Sequence, residues 1–394
     1  MKELEPVHRP AGRLGARLAL ALGGGAARGL AHIGVLDVLE REGIRPDCLV
    51  GSSMGGLIGA LSAAGLRARD IAEVARSFRF PRWFIPGFIV DWDTVFAHAV
   101  PILTPRSFED LDVPLVVTAV DLEEGTQVIL HAGPVLPAVR ATCTVPGVLP
   151  AVRLGHRWLV DGGIVNVLPV DVAWMVEPDV VVAVKVGAAR ARKMPELDWR
   201  LTALLSRLGT VVPNPGTAKL AFEVLVRAAE IILDRQAALA AAMTGPEVLI
   251  EPELGDLGLR DFDRLDDAVR AGRLATEAVL PELCRLLEAP PRIQVRSELV
   301  LTLRFDPVCA MVISPGRARA KAEHEGATYY FCSTNCRDCF EQEPALYLRN
   351  TALAFGPMRR GERRTPESQT GDANMPKRAA DPRPVGNKQG GGTA

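Results

Sequence analysis

No run of about 18 or more uninterrupted apolar residues occurs anywhere in the 394 residues, so the sequence predicts no membrane-spanning helix. An excess of either charge is missing too. The 46 Lys and Arg are matched by 47 Asp and Glu, a formal net of −1, which predicts steering toward neither nucleic acid nor an acidic membrane. Cysteines number seven, an odd count unevenly placed, which argues against a secreted disulfide framework and for a cytoplasmic protein. Histidine is scarcer still, at six, and where those six lie decides the choice of base below. What is present is 48% hydrophobic and 24% charged residues, the balance of a globular chain, with length enough for two or three domains.

The chain is organised around Leu18 to Ala64. Leu18 to Leu22 is a short apolar run, long enough for a buried strand, and Gly23-Gly24-Gly25 breaks it. Leu30, Ile33, Leu36 and Leu39 then recur at helical spacing, until Gly43 and Pro46 end the pattern. Cys48 to Val50 is a second buried strand that runs into Gly51-Ser52-Ser53-Met54-Gly55 and another helix. Strand, turn, helix, strand, turn, helix predicts two parallel strands in one sheet. Residues 16–27 have the outline of a signal-peptide core, but cleavage there would remove the glycine loop, so that reading fails.

The second turn spells G-x-S-x-G around Ser53. A strained strand-to-helix turn of this kind lifts the serine hydroxyl above the sheet edge and sets it at a helix N-terminus. The first turn fits neither of the common phosphate-binding loops. A dinucleotide fingerprint needs Gly or Ala where Arg28 stands, and a P-loop needs Lys and Ser/Thr where Leu30-Ala31 follow Gly29. The remaining use of exposed backbone N–H groups at a helix start is to hold a developing oxyanion. For a base, Trp158 to Val160 reads as a strand end carrying Asp161 into Gly162-Gly163. Of His8, His32, His98, His131, His156 and His324, only His324 follows Asp161, and it lies in a separate Cys-containing region. The order common among hydrolases puts the histidine after the acid, so the sequence favours a Ser–Asp pair, with partial burial raising the Asp pKa.

In this order Gly23-Gly24-Gly25-Ala26-Ala27-Arg28-Gly29, Gly51-Ser52-Ser53-Met54-Gly55 and Asp161-Gly162-Gly163 resemble the oxyanion motif, nucleophile elbow and aspartate motif of the bacterial patatin-like phospholipases. The text between agrees: Val113 to Val117 with Asp121, then Pro146-Gly147-Val148, then Asn166 and Pro169. The resemblance covers about residues 17–288. It implies an α/β fold in three layers, α/β/α, with a mostly parallel central sheet. It also implies catalysis by Ser53 and Asp161, an oxyanion hole from Gly23, Gly24, Gly25, Arg28 and Gly29, and structural glycines at 51, 55, 162 and 163. The implied reaction is hydrolysis of phospholipid or lysophospholipid acyl esters, with no cofactor. Thr142-Cys143-Thr144 departs from the smaller residues more usual there, with no effect on the chemistry expected.

Elsewhere, Phe80, Trp83, Phe84, Phe88, Trp92 and Phe96 cluster between the nucleophile helix and the next strand. They read equally as a lipid-facing mouth and as plain packing. Pro114 to Val120 and Gln127 to His131 read as paired strands, with Asp121 a turn residue. Pro137 to Thr142 and Pro169 to Val176 read as helices, Asp179 to Val186 as a parallel strand, and Ala188 to Asn214 as a surface excursion. Ala218 to Met243 is one long helix, with Leu220, Val224, Ala228, Ile231 and Leu233 on an apolar side expected to pack on the core rather than lie on a membrane surface, because acidic and basic residues mix on the polar side. Glu247 to Glu251 is a last strand and Asp261 to Leu287 a terminal helix pair, before a boundary at Pro290-Pro291.

Beyond the boundary, Cys332, Cys336 and Cys339 fall on one face if their segment is helical, with Cys309 earlier in the chain. Residues 300–348 resemble a YHS domain, a small α+β module related to Cys-based metal-binding modules. The thiolate set suits Zn or Cu(I). The resemblance implies that Cys309, Cys332 and Cys336 converge, with His324 or Cys339 as candidate fourth ligand. Residues 355–394, rich in Arg, Lys, Pro and Gly, are expected to be disordered, as is the basic arm 1–15. The domain reading is therefore an acyl hydrolase over 16–289, the Cys module over 300–348 and a basic tail. Two functions follow: a serine lipid acyl hydrolase acting on a lipid ester, with peripheral membrane contact and no nucleic-acid partner, or a non-catalytic regulatory protein on the same scaffold. Intact Ser53, Asp161 and glycine loop favour the first.

Overall fold

A computed structural model of the chain describes residues 16–78, 91–155, 157–187, 215–290, 304–308, 312–313, 318–331, 333–345 and 347. The expectations for residues 1–15, 188–214 and 355–394 lie outside these, as do those for Phe80, Trp83, Phe84 and Phe88.

Alternation along the first strand, β1 (Leu18–Leu22), sets the layers. Leu18, Leu20 and Leu22 enter one core and Ala19 and Ala21 the other. The glycines after it lead into a 3₁₀ turn (Ala26–Leu30) and then α1 (Ala31–Arg41). Next come β2 (Cys48–Ser52), α2 (Met54–Ala63) and α3 (Ala68–Arg76). Two single-turn helices, α4 (Trp92–Val95) and α5 (Val100–Leu103), precede β3 (Leu115–Asp121) and β4 (Thr126–Leu130). The chain continues through α6 (Val135–Thr142), β5 (Val152–Leu154), β6 (Arg157–Asp161), α7 (Val170–Met175) and β7 (Val180–Val184). It closes this region with α8 (Pro215–Thr244), β8 (Val248–Ile250) and α9 (Leu265–Glu288). Trp92 and Phe96 are buried, ring on ring at 4.7 Å, with Phe78 edge-on at 5.0 Å from Phe96, so these two aromatics pack the core.

The sheet order is β5-β6-β3-β2-β1-β7-β8, with β4 also on β3. The β3-β2-β1-β7-β8 stretch is parallel, and β4, β5 and β6 are antiparallel to their neighbours. Helices α1, α2, α3 and α9 contribute to the core on one face, and α7 and α8 to that on the other, giving three layers. α1 and α9 cross closely: a Cβ on Gly34 would run into the Val269 carbonyl, and one on Gly272 into that of Ala31.

Two helices differ from the sequence reading. The expected terminal pair is a 3₁₀ turn (Phe262–Arg264) followed by one continuous helix, with Pro281 inside it. Leu283 and Leu287 beyond the proline join the same core as Leu265 and Val269 before it, so packing holds the helix through the lost hydrogen bond. The long helix α8 is rotated from the expected register. Leu233 packs on the core as expected, with Ala237, but Val224 and Ile231 are about half exposed, and a charged stripe faces the protein beside Leu233.

In the C-terminal region, β9 (Arg304–Phe305) pairs with β10 (Val312–Ile313), and β11 (Ala320–His324) forms a hairpin with β12 (Ala327–Phe331). α10 (Thr334–Gln342) follows, capped by Ser333, whose hydroxyl accepts the Cys336 N–H at 3.1 Å. Ala320, Phe331, Cys336 and Phe340 make a small core of their own.

Candidate active site

β2 delivers Ser53 to the carboxyl end of the parallel strands, and the turn there is strained: Ser53 has φ 54° and ψ −126°. Its glycines are there for space. A Cβ on Gly51 would collide with Gly56, and one on Gly55 with the Leu22 carbonyl. The first turn of α2 begins immediately after, so the N–H groups of Met54, Gly55 and Gly56 have no acceptor within the helix.

The register on β3 brings the acid to the serine. Ser52 pairs with Thr118 and Asp161 with Ala119, while β4 occupies the opposite edge across both positions. β2 and β6 therefore meet end to end along one edge of β3, running in opposite senses. Gly162 lets the chain leave β6 over the Thr118 backbone, where any Cβ would clash. The Ser53 hydroxyl donates to Asp161 Oδ2 at 2.5 Å, and Asp161 Oδ1 accepts the Gly163 N–H at 2.8 Å. Both side chains are buried, at 8% and 6% exposure. Burial pushes the Asp161 pKa up to about 6, against the pull of its bonds from Ser53 and Gly163.

The glycine loop runs alongside, with a Cβ on Gly24 falling 3.1 Å from that of Ser53. Of the five residues expected to form an oxyanion hole, Gly23, Gly24, Gly29 and Arg28 have other roles here. Gly23 and Gly24 already donate their N–H groups to Val184 O and Val167 O, at 3.1 and 2.7 Å. Gly29 makes room for the Met54 side chain. The Arg28 guanidinium is buried and turned to Glu230 at 2.8 Å and Leu257 O at 2.9 Å. Gly25 stands before the 3₁₀ turn as its N-cap.

Three supports were invisible to motif reading. His32 is fully buried with Nε2 2.7 Å from Gly23 O. Burial pulls its pKa down to about 4, so near pH 7 it is neutral and donates from Nε2 to brace the loop. Thr142 Oγ1 accepts the Ser53 N–H at 2.8 Å, and the Cys143 thiol lies 3.2 Å from Ser53 O. The departure at 142–144 thus sits directly on the nucleophile turn. Thr142 and Cys143 were hidden by their distance in sequence from Ser53, and His32, nine residues from Gly23, by the fact that only packing turns its ring onto that carbonyl. Asp121 is a turn residue as expected, accepting the N–H groups of Glu123 and Glu124. His131 is half-buried and desolvation pulls its pKa likewise down to about 4, while His156 lies outside the described residues.

Among known proteins, residues 20–86 and 95–174 match the patatin-like phospholipase family and residues 305–351 the YHS domain. The chain carries a patatin-like phospholipase domain and a YHS domain. An uncharacterised NTE family protein of Mycobacterium tuberculosis is 32% identical over 69% of this chain and 48% of its own length. Patatin-like phospholipase domain-containing protein 6 of Mus musculus is 29% identical over 67% of this chain and 20% of its own. The chain thus spans about half, or less, of these relatives. The crystal structure of VipD from Legionella pneumophila aligns over 68% of this chain and 67% of that one, at TM-score 0.40 and 13% identity.

Within the YHS domain, Cys309 and Cys332 lie outside the described residues. Cys336 is buried beside Phe331 and Phe340, Cys339 is half-buried one turn on, and the His324 ring packs edge-on against Phe340 at 5.9 Å. Among the described residues no three His, Cys, Asp or Glu side chains gather as a metal site.

Proposed function

We propose that the patatin-like domain, residues 16–289, is a serine hydrolase of lipid acyl esters. The observation that carries this is the 2.5 Å bond from the Ser53 hydroxyl, on a strained elbow, to a buried carboxylate whose pKa is raised to about 6. A raised pKa makes Asp161 a better base toward serine than an ordinary carboxylate. In this reading Ser53 Oγ attacks the ester carbonyl carbon while its proton passes to Asp161 Oδ2. Since Gly23 and Gly24 have committed their N–H groups, the tetrahedral oxyanion is assigned to those of Gly25 and Met54. Collapse breaks the ester C–O bond, and Asp161 returns the proton to the departing alcohol. Water then cleaves the acyl-serine by the same route, losing its proton to Asp161 and releasing the fatty acid. The family match favours a lipid ester over other acyl compounds.

A fluorophosphonate probe is expected to label Ser53, and Ser53→Ala to abolish both labelling and release of p-nitrophenol from a medium-chain ester. Labelling elsewhere with Ser53 untouched overturns the assignment.

For the YHS domain, residues 300–348, the reading is a Zn or Cu(I) site held by Cys309, Cys332 and Cys336, with His324 or Cys339 as fourth ligand. Its support is the thiol content of the segment and the match to the YHS domain. Nothing in the Ser–Asp chemistry calls for that metal.

A further inference from the structure

Helix α8 carries its charge inward. Glu223, Arg227, Glu230 and Asp234 recur three and four residues apart and form one stripe. That stripe is engaged by the protein: Glu230 by Arg28 and Arg227 at 2.8 and 2.9 Å, Glu223 by Arg260 at 2.6 Å, and Asp234 by Lys185 at 3.6 Å. Arg28 lies directly behind the glycine loop, and its buried charge requires Glu230, which fixes the rotation of the helix about its axis. The arc left outside is apolar. Val224, Leu225, Ile231, Ile232, Leu239 and Met243 are 47–66% exposed, and Arg235 is the charged residue among them. A helix on a water-facing surface has the opposite arrangement.

The patch does not stop at the helix. Gln236 Nε2 donates to Ile164 O and Val165 O, at 3.1 and 3.0 Å. Ile164 and Val165, 46% and 42% exposed, stand three and four residues past Asp161. The apolar surface therefore runs to the edge of the Ser53–Asp161 site. A seam between two copies of the chain would need the helix alone, and continuity with the site gives no advantage to such a seam. A bilayer does need it, because an acyl ester held in a membrane has to reach a serine that is only 8% exposed. At 30 residues, about 45 Å, α8 is long enough to lie along a membrane surface, and among the described residues no helix is long and apolar enough to cross one.

We propose that the outward arc of α8, with Ile164 and Val165, seats the protein on a lipid bilayer surface and leads a bilayer-held acyl ester to Ser53. The delivery half rests on the hydrolase reading, and the docking half does not. The test uses the full chain and phosphatidylcholine vesicles, with partition measured by flotation and turnover compared between an ester carried in the vesicle and a short soluble one. Ile232→Glu/Leu239→Glu is expected to weaken partition about a hundredfold, each substitution removing the insertion of one large apolar side chain. The vesicle-to-soluble turnover ratio should fall in parallel. Ile232→Ser/Leu239→Ser, gentler to the fold, is expected to give a smaller loss in the same direction. Ser53→Ala is expected to float like the parent protein. Unchanged flotation of the Glu variant overturns the proposal. So does a parent dimer that the Glu variant splits with flotation untouched, which assigns the face to a second copy. A parent protein that floats through this face yet hydrolyses neither ester upholds the docking and sinks the hydrolase reading instead.

Discussion

Asp161 has a carboxyl whose charge the fold disfavours, and this gives it two measurable signatures. The rise from 3.8 to about 6 is caused chiefly by burial and corresponds to roughly 3 kcal/mol. If the ionised form is the base, kcat/KM for a soluble ester is expected to climb tenfold per pH unit up to about pH 6 and then level off. Asp161→Asn should lower the rate by roughly 10²–10⁴ or more on the plateau above about pH 6, and by progressively less as the parent's own carboxylate is protonated below it. Stability should move the other way. A folded pKa above the unfolded one means that the native state holds the proton more tightly, so this residue's contribution is greatest below about pH 4 and is lost as pH rises through about 6. Asn mimics the neutral acid. Urea unfolding should therefore find Asp161→Asn more stable than the parent above pH 6 and equal to it near pH 4. A flat pH profile, or a variant that is weaker at every pH, contradicts the burial argument.

Among the elements, α1 and α9 give the sharpest packing test. They touch backbone to backbone at Gly34 and Gly272, where a methyl group has no room to go. Gly272→Ala forces the helices apart and is expected to cost about 3 kcal/mol, at the upper end for overpacked sites. Calorimetry should read this as a fall in Tm of several degrees. A Tm within a degree of the parent's would mean that the crossing is looser than described. α8 shows why periodicity alone misplaces a helix. Its apolar residues do recur with helical spacing, but a buried Arg28 draws Glu230 inward, and the ion pair outweighs the burial of Val224 and Ile231.

At the scale of the whole molecule, the patatin-like and YHS regions each have a hydrophobic core, and the residues proposed for chemistry in one lie in a different stretch of the sequence from the thiols proposed as ligands in the other. Elemental analysis of full-length protein purified without chelator is expected to find Zn or Cu, lost in the Cys332→Ser/Cys336→Ser double mutant. Chelation should leave ester hydrolysis intact. Activity that disappears with the metal and returns on adding it back would show the two regions to be coupled.

The sequence by itself determined the local structure wherever one residue's needs could be met by near neighbours. β1, α1, β2 and the turn at Ser53 follow from an apolar run, a 3.6-residue period and glycines where Cβ atoms do not fit. The three-layer, mostly parallel sheet follows from alternating strands and helices. Only the tertiary structure decided which groups meet. The end-to-end placement of β2 and β6 along β3 is a matter of register, and it closes 108 residues of chain to bring the Ser53 hydroxyl to Asp161. The same holds for the N–H groups that Gly23 and Gly24 surrender to Val184 and Val167, for His32 beneath the loop and for Thr142 on the Ser53 amide. It holds for the face α8 turns outward as well, because burial and hydrogen-bond partners are properties of the packed chain that no local spacing encodes.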